Sequence, residues 1–265
     1  MSTSPVLSAL HRYPVKSMRG QALDRSPVGP RGLPFDRDWM VATPDGHFVT
    51  GRQQPRLVLV DATPVAGGVT LSTPGRADLF VPDAAFTDAI DTTVWGDNFP
   101  ARQGAAAADA WISDYLGTPL KFLWTGAPTA RRVKVAPAVP LSFADGFPLL
   151  LIGEASLDDL SGRVGRALSM QRFRPNLVVS GAAAFAEDGW QRIRIGEVNF
   201  RITKPCERCV FTTVDPEDGT KGRDQEPLRT LATYRKAPAG VIFGQNVIAE
   251  GSGEIRVGMP VEVLE

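Results

Sequence analysis

Glycine and proline recur too often for long helices: 26 glycines and 22 prolines stand among 265 residues and cut the apolar stretches into short runs. A chain punctuated in this way is predicted to be rich in strands. Around Arg192–Thr203, isoleucines alternate with arginines, Gly196-Glu197 supplies a turn, and Val198, Phe200 and Ile202 then fall on one face, which predicts a hairpin. Further hairpins are expected over Ala62–Thr73, turning at Gly67-Gly68, and over Glu254–Leu264, turning at Gly258-Met259. Val210–Val214 reads as a strand followed by a turn at Asp215-Pro216-Glu217-Asp218-Gly219. Helical patterns are few: Ala105–Leu116 closed by Gly117, Glu154–Leu168 with Gly162 and Gly165 inside it, and Glu226–Arg235 opened by Pro227. The Pro- and Arg-containing stretch from Gly126 to Pro140 has weak periodicity and separates two strand-rich halves. The expected architecture is α+β and mainly β, with an N-terminal β-barrel-like domain over residues 1–125, a second β-barrel over residues 126–265, and a few flanking helices.

Charge narrows the partners. Lys and Arg number 29, as do Asp and Glu, and 43% of residues are hydrophobic, so the chain can bury a substantial core and lacks the overall electrostatic footprint of a nucleic-acid binder or a polybasic membrane anchor. Met1–Leu7 has no basic region followed by an apolar run, and no stretch approaches the roughly 20 apolar residues of a membrane span. The expectation is a cytoplasmic, reducing address, with neither nucleic acid nor membrane as partner. Two cysteines are too few for a disulfide framework or for a two-iron cluster held by four cysteines, so any electrons come from elsewhere.

Both cysteines fall in Lys204-Pro205-Cys206-Glu207-Arg208-Cys209-Val210-Phe211-Thr212-Thr213-Val214-Asp215-Pro216. A thiolate is a soft ligand and a nucleophile, and Lys204 and Arg208 favour it over the thiol. Four readings stand: inert structural thiols, a redox pair, half of a zinc site, or one metal-ligating thiolate. Zinc is disfavoured because no second Cys-x-x-Cys exists and the two histidines, His11 and His47, lie far away in sequence. A thioredoxin-like pair is disfavoured because no helix is expected to open at the motif. Four further segments place cations at loop-to-strand edges: Tyr13-Pro14-Val15-Lys16-Ser17, Phe35-Asp36-Arg37-Asp38-Trp39, Thr50-Gly51-Arg52-Gln53-Gln54-Pro55-Arg56-Leu57 and Phe173-Arg174-Pro175-Asn176. Arginine recognises phosphate or a planar heterocycle with a fork of donors, lysine adds a point charge, and asparagine offers both a donor and an acceptor. Such a set suits an anionic, ring-bearing cofactor, and no nucleotide-binding fingerprint accompanies it, since Gly251-Ser252-Gly253 sits between strands with no helix after it.

In this order, Tyr-Pro-Val-Lys-Ser, Arg-Gln-x-Pro-Arg-Leu, Phe-Arg-Pro-Asn and Cys-x-Arg-Cys-x-x-Thr-Thr-Val-Asp-Pro resemble the MOSC-domain proteins, and more closely the branch with an N-terminal MOSC β-barrel domain, the group of YcbX and the amidoxime-reducing components. The resemblance runs from about Val6 to Leu264 and includes Asp145-Gly146-Phe147-Pro148, Phe243-Gly244-Gln245-Asn246 and Ile255–Val261. It implies a molybdenum cofactor, Mo-molybdopterin, with Cys209 as the protein ligand to the metal and Cys206 without that role. Lys16, Ser17, Arg37, Arg174, Asn176 and Arg208 are implied as holders of the pterin and phosphate, Gly146, Phe147 and Glu207 as contributors through backbone groups, and Arg52, Asp215, Gln245 and Asn246 as further members of the pocket. The implied activity is two-electron reduction of small N-hydroxylated compounds such as amidoximes, hydroxylamines and N-hydroxylated bases. Some members carry a C-terminal two-iron ferredoxin-like domain, whereas this sequence ends at Val263-Leu264-Glu265, so the electrons are expected from a separate protein. Two other readings are a cysteine-based sulfur-transfer protein, in which Cys206 matters as much as Cys209, and a non-catalytic cofactor carrier.

Overall fold

The computed structural model describes residues 4–265. Its larger sheet has nine strands, ordered Gln21–Leu23, Val6–Arg12, Leu177–Ser180, Leu149–Gly153, Gly240–Ala249, Val198–Glu207, Arg192–Ile195 and Val261–Val263, with Lys236–Ala237 pairing off the side of Gly240–Ala249. One pair in it, Leu149–Gly153 with Leu177–Ser180, is parallel. A parallel pair needs a crossover, and the helix Glu154–Val164 supplies it. A second sheet runs Phe48–Val49, Trp39–Ala42, Lys121–Trp124, Asp97–Gln103, Asp88–Val94, and a third is the meander Asp61–Val65, Gly68–Ser72, Leu79–Pro82. The fold is α+β and mainly β, with three α-helices among the described residues.

A cut after residue 125 does not separate these sheets. Val6–Arg12 pairs with Leu177–Ser180, and Arg25–Val28 pairs with Gly253–Arg256, so the first strands complete the C-terminal half. The reason lies in the side chains: Leu7 and Leu10 enter the core of the nine-stranded sheet with Leu177, Phe200 and Val247, whereas Val15 and Met18 enter a different core with Trp39, Leu57 and Phe122. The chain between them, Tyr13–Met18, therefore crosses from one core to the other and lines the seam.

Local elements follow the sequence reading with four corrections. The hairpin Arg192–Glu207 pairs Ile195 with Val198 across Gly196-Glu197, as the alternation requires. In Asp61–Ser72 the register Val65 to Gly68 moves the turn to Ala66-Gly67, and Gly68 is a strand residue whose Cβ would stand 2.2 Å from the Val81 carbonyl oxygen. Glu254–Leu264 is not a hairpin, because its first strand pairs with Arg25–Val28 and its second, Val261–Val263, with Arg192–Ile195. The second helix stops at Val164, where Gly165 takes a left-handed φ of 80° and caps it. The stretch Val210–Thr213 is one turn of 3-10 helix rather than a strand; Thr212 and Thr213 donate from their side chains to the carbonyls of Cys209 and Val210 at 3.0 and 2.8 Å and hold the turn closed.

Candidate functional site

Between the two cores the seam opens as a cleft of about 850 Å³ including its mouth. Lys16, Ser17, Arg37 and Arg52 line it from the N-terminal side, Arg174 and the segment Cys206–Cys209 from the nine-stranded sheet, and Gly146 and Phe147 from the loop between them. Six segments spread over nearly 200 positions of sequence thus meet in one place. Their backbones are unusual: Ser17, Arg37 and Arg174 have φ of 68°, 53° and 57°, a region in which non-glycine residues are uncommon and strained by about 1 kcal/mol or more each. Such conformations persist only where the surroundings over-determine them.

The surroundings here are Tyr13, Asp36 and Asn176. Asp36 is buried, accepts from the Tyr13 backbone N–H at 2.8 Å and pairs with the Arg37 guanidinium. Asn176 is 1% exposed; its Nδ2 donates to the His11 carbonyl and to Asp36 Oδ1, both at 3.1 Å, and its Oδ1 accepts from the Leu150 N–H at 3.2 Å and from Arg37 Nη1 at 3.1 Å. Both side-chain donors are spent on protein acceptors, so Asn176 has none for a ligand. Asn176 itself lines the cleft, and its Oδ1 helps to hold the Arg37 guanidinium. The Tyr13 ring, fully buried, carries the guanidinium carbons of Arg37 and Arg174 at 4.4 and 4.1 Å from its centroid. Burial pushes its hydroxyl up out of the titrating range. On the N-terminal side, Gly51 lets Phe211 approach the cleft wall, since a Cβ there would stand 2.1 Å from that ring.

Cations outnumber free anions in the cleft. Lys16 is buried, donates to the Phe143 carbonyl at 2.8 Å and is paired with Asp145. Burial pulls the Lys16 ammonium down, while Asp145, whose side chain is 67% exposed within the cleft, is held well below the usual carboxylate range: enclosure pushes it up, and the charge and hydrogen bond of Lys16 more than reverse that. Arg174 donates through Nη1 to the Met18 carbonyl at 2.6 Å, but its Nη2 is buried and has no acceptor. Burial, with the like charge of Arg37 next, pushes its guanidinium down to about 9. Arg208 donates to the Phe173 carbonyl at 2.9 Å and to Cys206 Sγ at 3.0 Å, and its Nε is likewise buried without an acceptor. Buried donors with no partner cost free energy that an incoming acceptor restores. A polyanionic ligand with acceptor atoms fits this donor set.

The two thiols are both free and differ in surroundings. Cys206, near the end of the strand Val198–Glu207, receives the Arg208 hydrogen bond; burial pushes its thiol up, against the pull of that guanidinium. Cys209, three residues on, begins the 3-10 turn, faces the same cleft and takes no side-chain hydrogen bond among the described residues. Glu207 lines the cleft while its carboxylate pairs with Lys204 at 2.9 Å. Arg52 and Asn246 also line it. Asp215 and Gln245 do not: Asp215 is paired with Arg172, and Gln245 is buried with Nε2 donating to Asp188 at 2.7 Å. Gln245 and Asn246 are neighbours on a strand, so their side chains take opposite faces and only Asn246 reaches the cleft. The sequence motifs contain Tyr13, Asp36 and Asp145 without assigning them a role, and they do not include Trp95, which lines the cleft, or Arg131, which pairs with Asp97 behind the loop to Gly146.

Two β modules meeting over a cation-lined cleft that contains Cys209 define a class, and the comparisons agree with it. Residues 4–119 match the MOSC N-terminal beta barrel domain and residues 139–262 the MOSC domain. A protein of Danio rerio named mitochondrial amidoxime-reducing component 1 is 37% identical over 273 residues, covering 97% of this chain and 84% of its own length. The Homo sapiens protein of that name is 34% identical, covering 95% and 81%, and Homo sapiens mitochondrial amidoxime reducing component 2 is 33% identical, covering 94% and 80%. The chain belongs to this family of two-module MOSC proteins. The cytoplasmic address expected from the first residues and the two cysteines is corrected by these relatives, which are named as mitochondrial. Free thiols require a reducing compartment and do not say which one. No helix of the described residues is long and apolar enough to cross a membrane.

Proposed function

We propose that the chain is a molybdenum-cofactor-dependent oxidoreductase that reduces N-hydroxylated compounds, amidoximes among them, with electrons from a separate protein. The observation that carries the reading is the convergence on Cys209 of Lys16, Arg37, Arg174 and Arg208, two of them with buried donors that lack an acceptor. When bound, the cofactor supplies two-electron removal of a nitrogen-bound oxygen. The residues supply the rest. Lys16, Ser17, Arg37 and Arg174 bind the phosphate and pterin, with the open donors of Arg174 and Arg208 satisfied by cofactor acceptors. Gly146, Phe147 and Glu207 contribute backbone groups at the rim, and Asn176 and Asp36 hold Arg37 at its strained φ. Cys209 gives its thiolate to the metal, while Arg208 keeps Cys206 occupied through the hydrogen bond to its sulfur. Asp145 pairs with Lys16 at the cleft floor and fixes where the ammonium sits, so the net positive charge facing the cofactor comes from Arg37, Arg174 and Arg208.

The test is molybdenum per chain, measured by plasma mass spectrometry on protein from a host that loads a control molybdoenzyme, for the parent, Cys209→Ser and Cys206→Ser. The expected result is near-stoichiometric metal in the parent and in Cys206→Ser and its loss in Cys209→Ser. Absence of metal in all three refutes the cofactor assignment, and equal loss in both variants moves the two thiols to a shared sulfur-transfer role.

A further inference from the structure

The cleft continues outward into a second cavity of about 1390 Å³ including its mouth. The two spaces share Trp95, Phe147 and the thiol segment, and only the outer one reaches Arg132, Lys134 and Val135. Trp95 stands where they join. It is 47% exposed, although tryptophan is among the side chains with most to gain from burial. It is the first of two residues joining Asp88–Val94 to Asp97–Gln103, with Val94 and Asp97 paired across the turn. Its φ is 55°, so it occupies a position that hairpin turns of this length fill with glycine, asparagine or aspartate. The sequence places its glycine second instead, at Gly96. Two neighbours hold the indole and still leave about half of it exposed: the Arg52 guanidinium lies over one face, its carbon 4.2 Å from the ring centroid, and the Phe48 ring packs at 5.6 Å, tilted by 55°. A strained backbone that holds a large ring half-open beside a reaction chamber is a conformation retained at a cost in stability.

The rest of the outer cavity shows what such a ring faces. Phe147 and Val135, the latter 67% exposed, add apolar surface. Lys134 is paired with Asp97 at 2.8 Å and Lys204 with Glu207 at 2.9 Å, which leaves Arg132, whose Nη1 donates to the carbonyls of Thr129 and Arg131, as the rim cation without a carboxylate partner among the described residues. Exposed apolar surface from Trp95, Phe147 and Val135, with most of the rim charge paired, favours a planar, aromatic guest.

We infer that Trp95 is the specificity-determining residue of the reduction proposed above: its indole stacks on the ring of aromatic N-hydroxylated substrates and selects them over substrates that lack a ring. The inference rests on the proposed reaction for its biological sense, and its test does not. The probes are benzamidoxime and hydroxylamine. On the loaded enzyme, with reduced methyl viologen as electron source, the ratio of kcat/KM for benzamidoxime over hydroxylamine is expected to fall about tenfold in Trp95→Ala, carried by KM, the size of one good aromatic contact. Trp95→Phe, which keeps a stacking face, is expected to restore most of it. On cofactor-free protein, calorimetry is expected to show benzamidoxime binding about tenfold weaker in Trp95→Ala, and quenching of tryptophan fluorescence by benzamidoxime is expected in the parent and to be lost in Trp95→Phe. An unchanged ratio together with unchanged binding in Trp95→Ala, in a variant that melts with the parent, overturns the inference. If neither probe is reduced while binding still depends on Trp95, the proposed reaction fails and the stacking site stands. If both are reduced and neither the ratio nor the binding depends on Trp95, the reaction stands and the stacking site falls.

Discussion

The two walls of the cleft are built in different ways. On the N-terminal wall, Ser17, Arg37 and Trp95 sit on loops at left-handed φ, and each is held by packing that the loop does not itself provide. On the opposite wall, Cys206 lies at the end of one strand, where its register against Gly240–Ala249 shifts between Pro205 and Glu207, and Cys209 lies in the 3-10 turn that follows, so both are positioned by ladder and turn hydrogen bonds. The first wall depends on both cores being assembled, whereas the thiol segment is assembled within one. Arg174 stands on the thiol side but shares the strain of the first wall, with φ of 57° and Nη1 donating across the seam to the Met18 carbonyl. Placement of the cations at 16, 37 and 174 is therefore the more fragile part of the site, and changes remote in sequence should disturb it while leaving the thiol segment in place.

The largest expected effect is at Arg131, which clamps the loop leading to Gly146 and Phe147 against the Asp88–Gln103 hairpin. It is 3% exposed, donates to Asp97 Oδ2 from Nε and Nη2 at 2.9 and 2.8 Å, and donates to the carbonyls of Ser142 and Asp145 at 3.0 and 2.9 Å. Arg131→Ala leaves those carbonyls without their donor and is expected to cost about 3 kcal/mol, toward the low end for a buried pair because Lys134 still accompanies Asp97. The neighbouring exposed Arg132→Ala is expected to stay within about 0.5 kcal/mol. Urea unfolding of the three proteins checks this, and equal midpoints for Arg131→Ala and the parent would show that the two walls are not clamped together there.

Next in size is the response of the cationic wall to an anion. Pyrophosphate supplied to the cofactor-free chain at about 100 times its Kd is expected to stabilise it by about 2.7 kcal/mol, seen as a rise in Tm. Arg174→Gln removes a guanidinium that burial and Arg37 both oppose, together with its open donor, and is expected to lose at least half of that rise. Cys206→Ser is expected to keep all of it. Identical shifts in parent and Arg174→Gln would place the anion elsewhere on the molecule.

The same contrast explains what the sequence could and could not disclose. The thiol wall was legible because its information is local: two cysteines three apart, flanked by Lys204 and Arg208, at the end of an alternating strand. Even there Val210–Thr213 forms a 3-10 turn where its residues predict a strand, because β-branched and aromatic residues favour strands and the side-chain hydrogen bonds that close the turn leave no periodic trace. The cations at 16, 37, 52 and 174 were legible as residue types, and the family resemblance joined them. Their mutual arrangement was not legible, since it follows from Val6–Arg12 pairing with a strand some 170 positions away. For that reason the sequence does not disclose that the Asn176 side chain donates to His11 and Asp36, nor that Trp95, which carries no motif, emerges at the mouth.

The smallest expected effect separates the two members of the Lys16–Asp145 pair. The Asp145 carboxyl is held below its ordinary value, so below about pH 4 the folded chain binds fewer protons than the unfolded one, and its contribution to stability is lost as pH falls through that range. The Lys16 ammonium is pulled down by burial, so at alkaline pH the folded chain again binds fewer protons, and stability gains as pH rises toward the ordinary lysine range. In Asp145→Asn the acid loss from this site disappears. Lys16, buried without its counter-charge, is pulled further down, and the gain begins at lower pH. Urea midpoints at about pH 3, 5 and 9 are expected to show a flatter acid limb and a steeper alkaline rise in the variant than in the parent. Parallel curves would mean that Asp145, open to water on its cleft side, is screened from Lys16, and that the charge on this wall is set by the lysine alone.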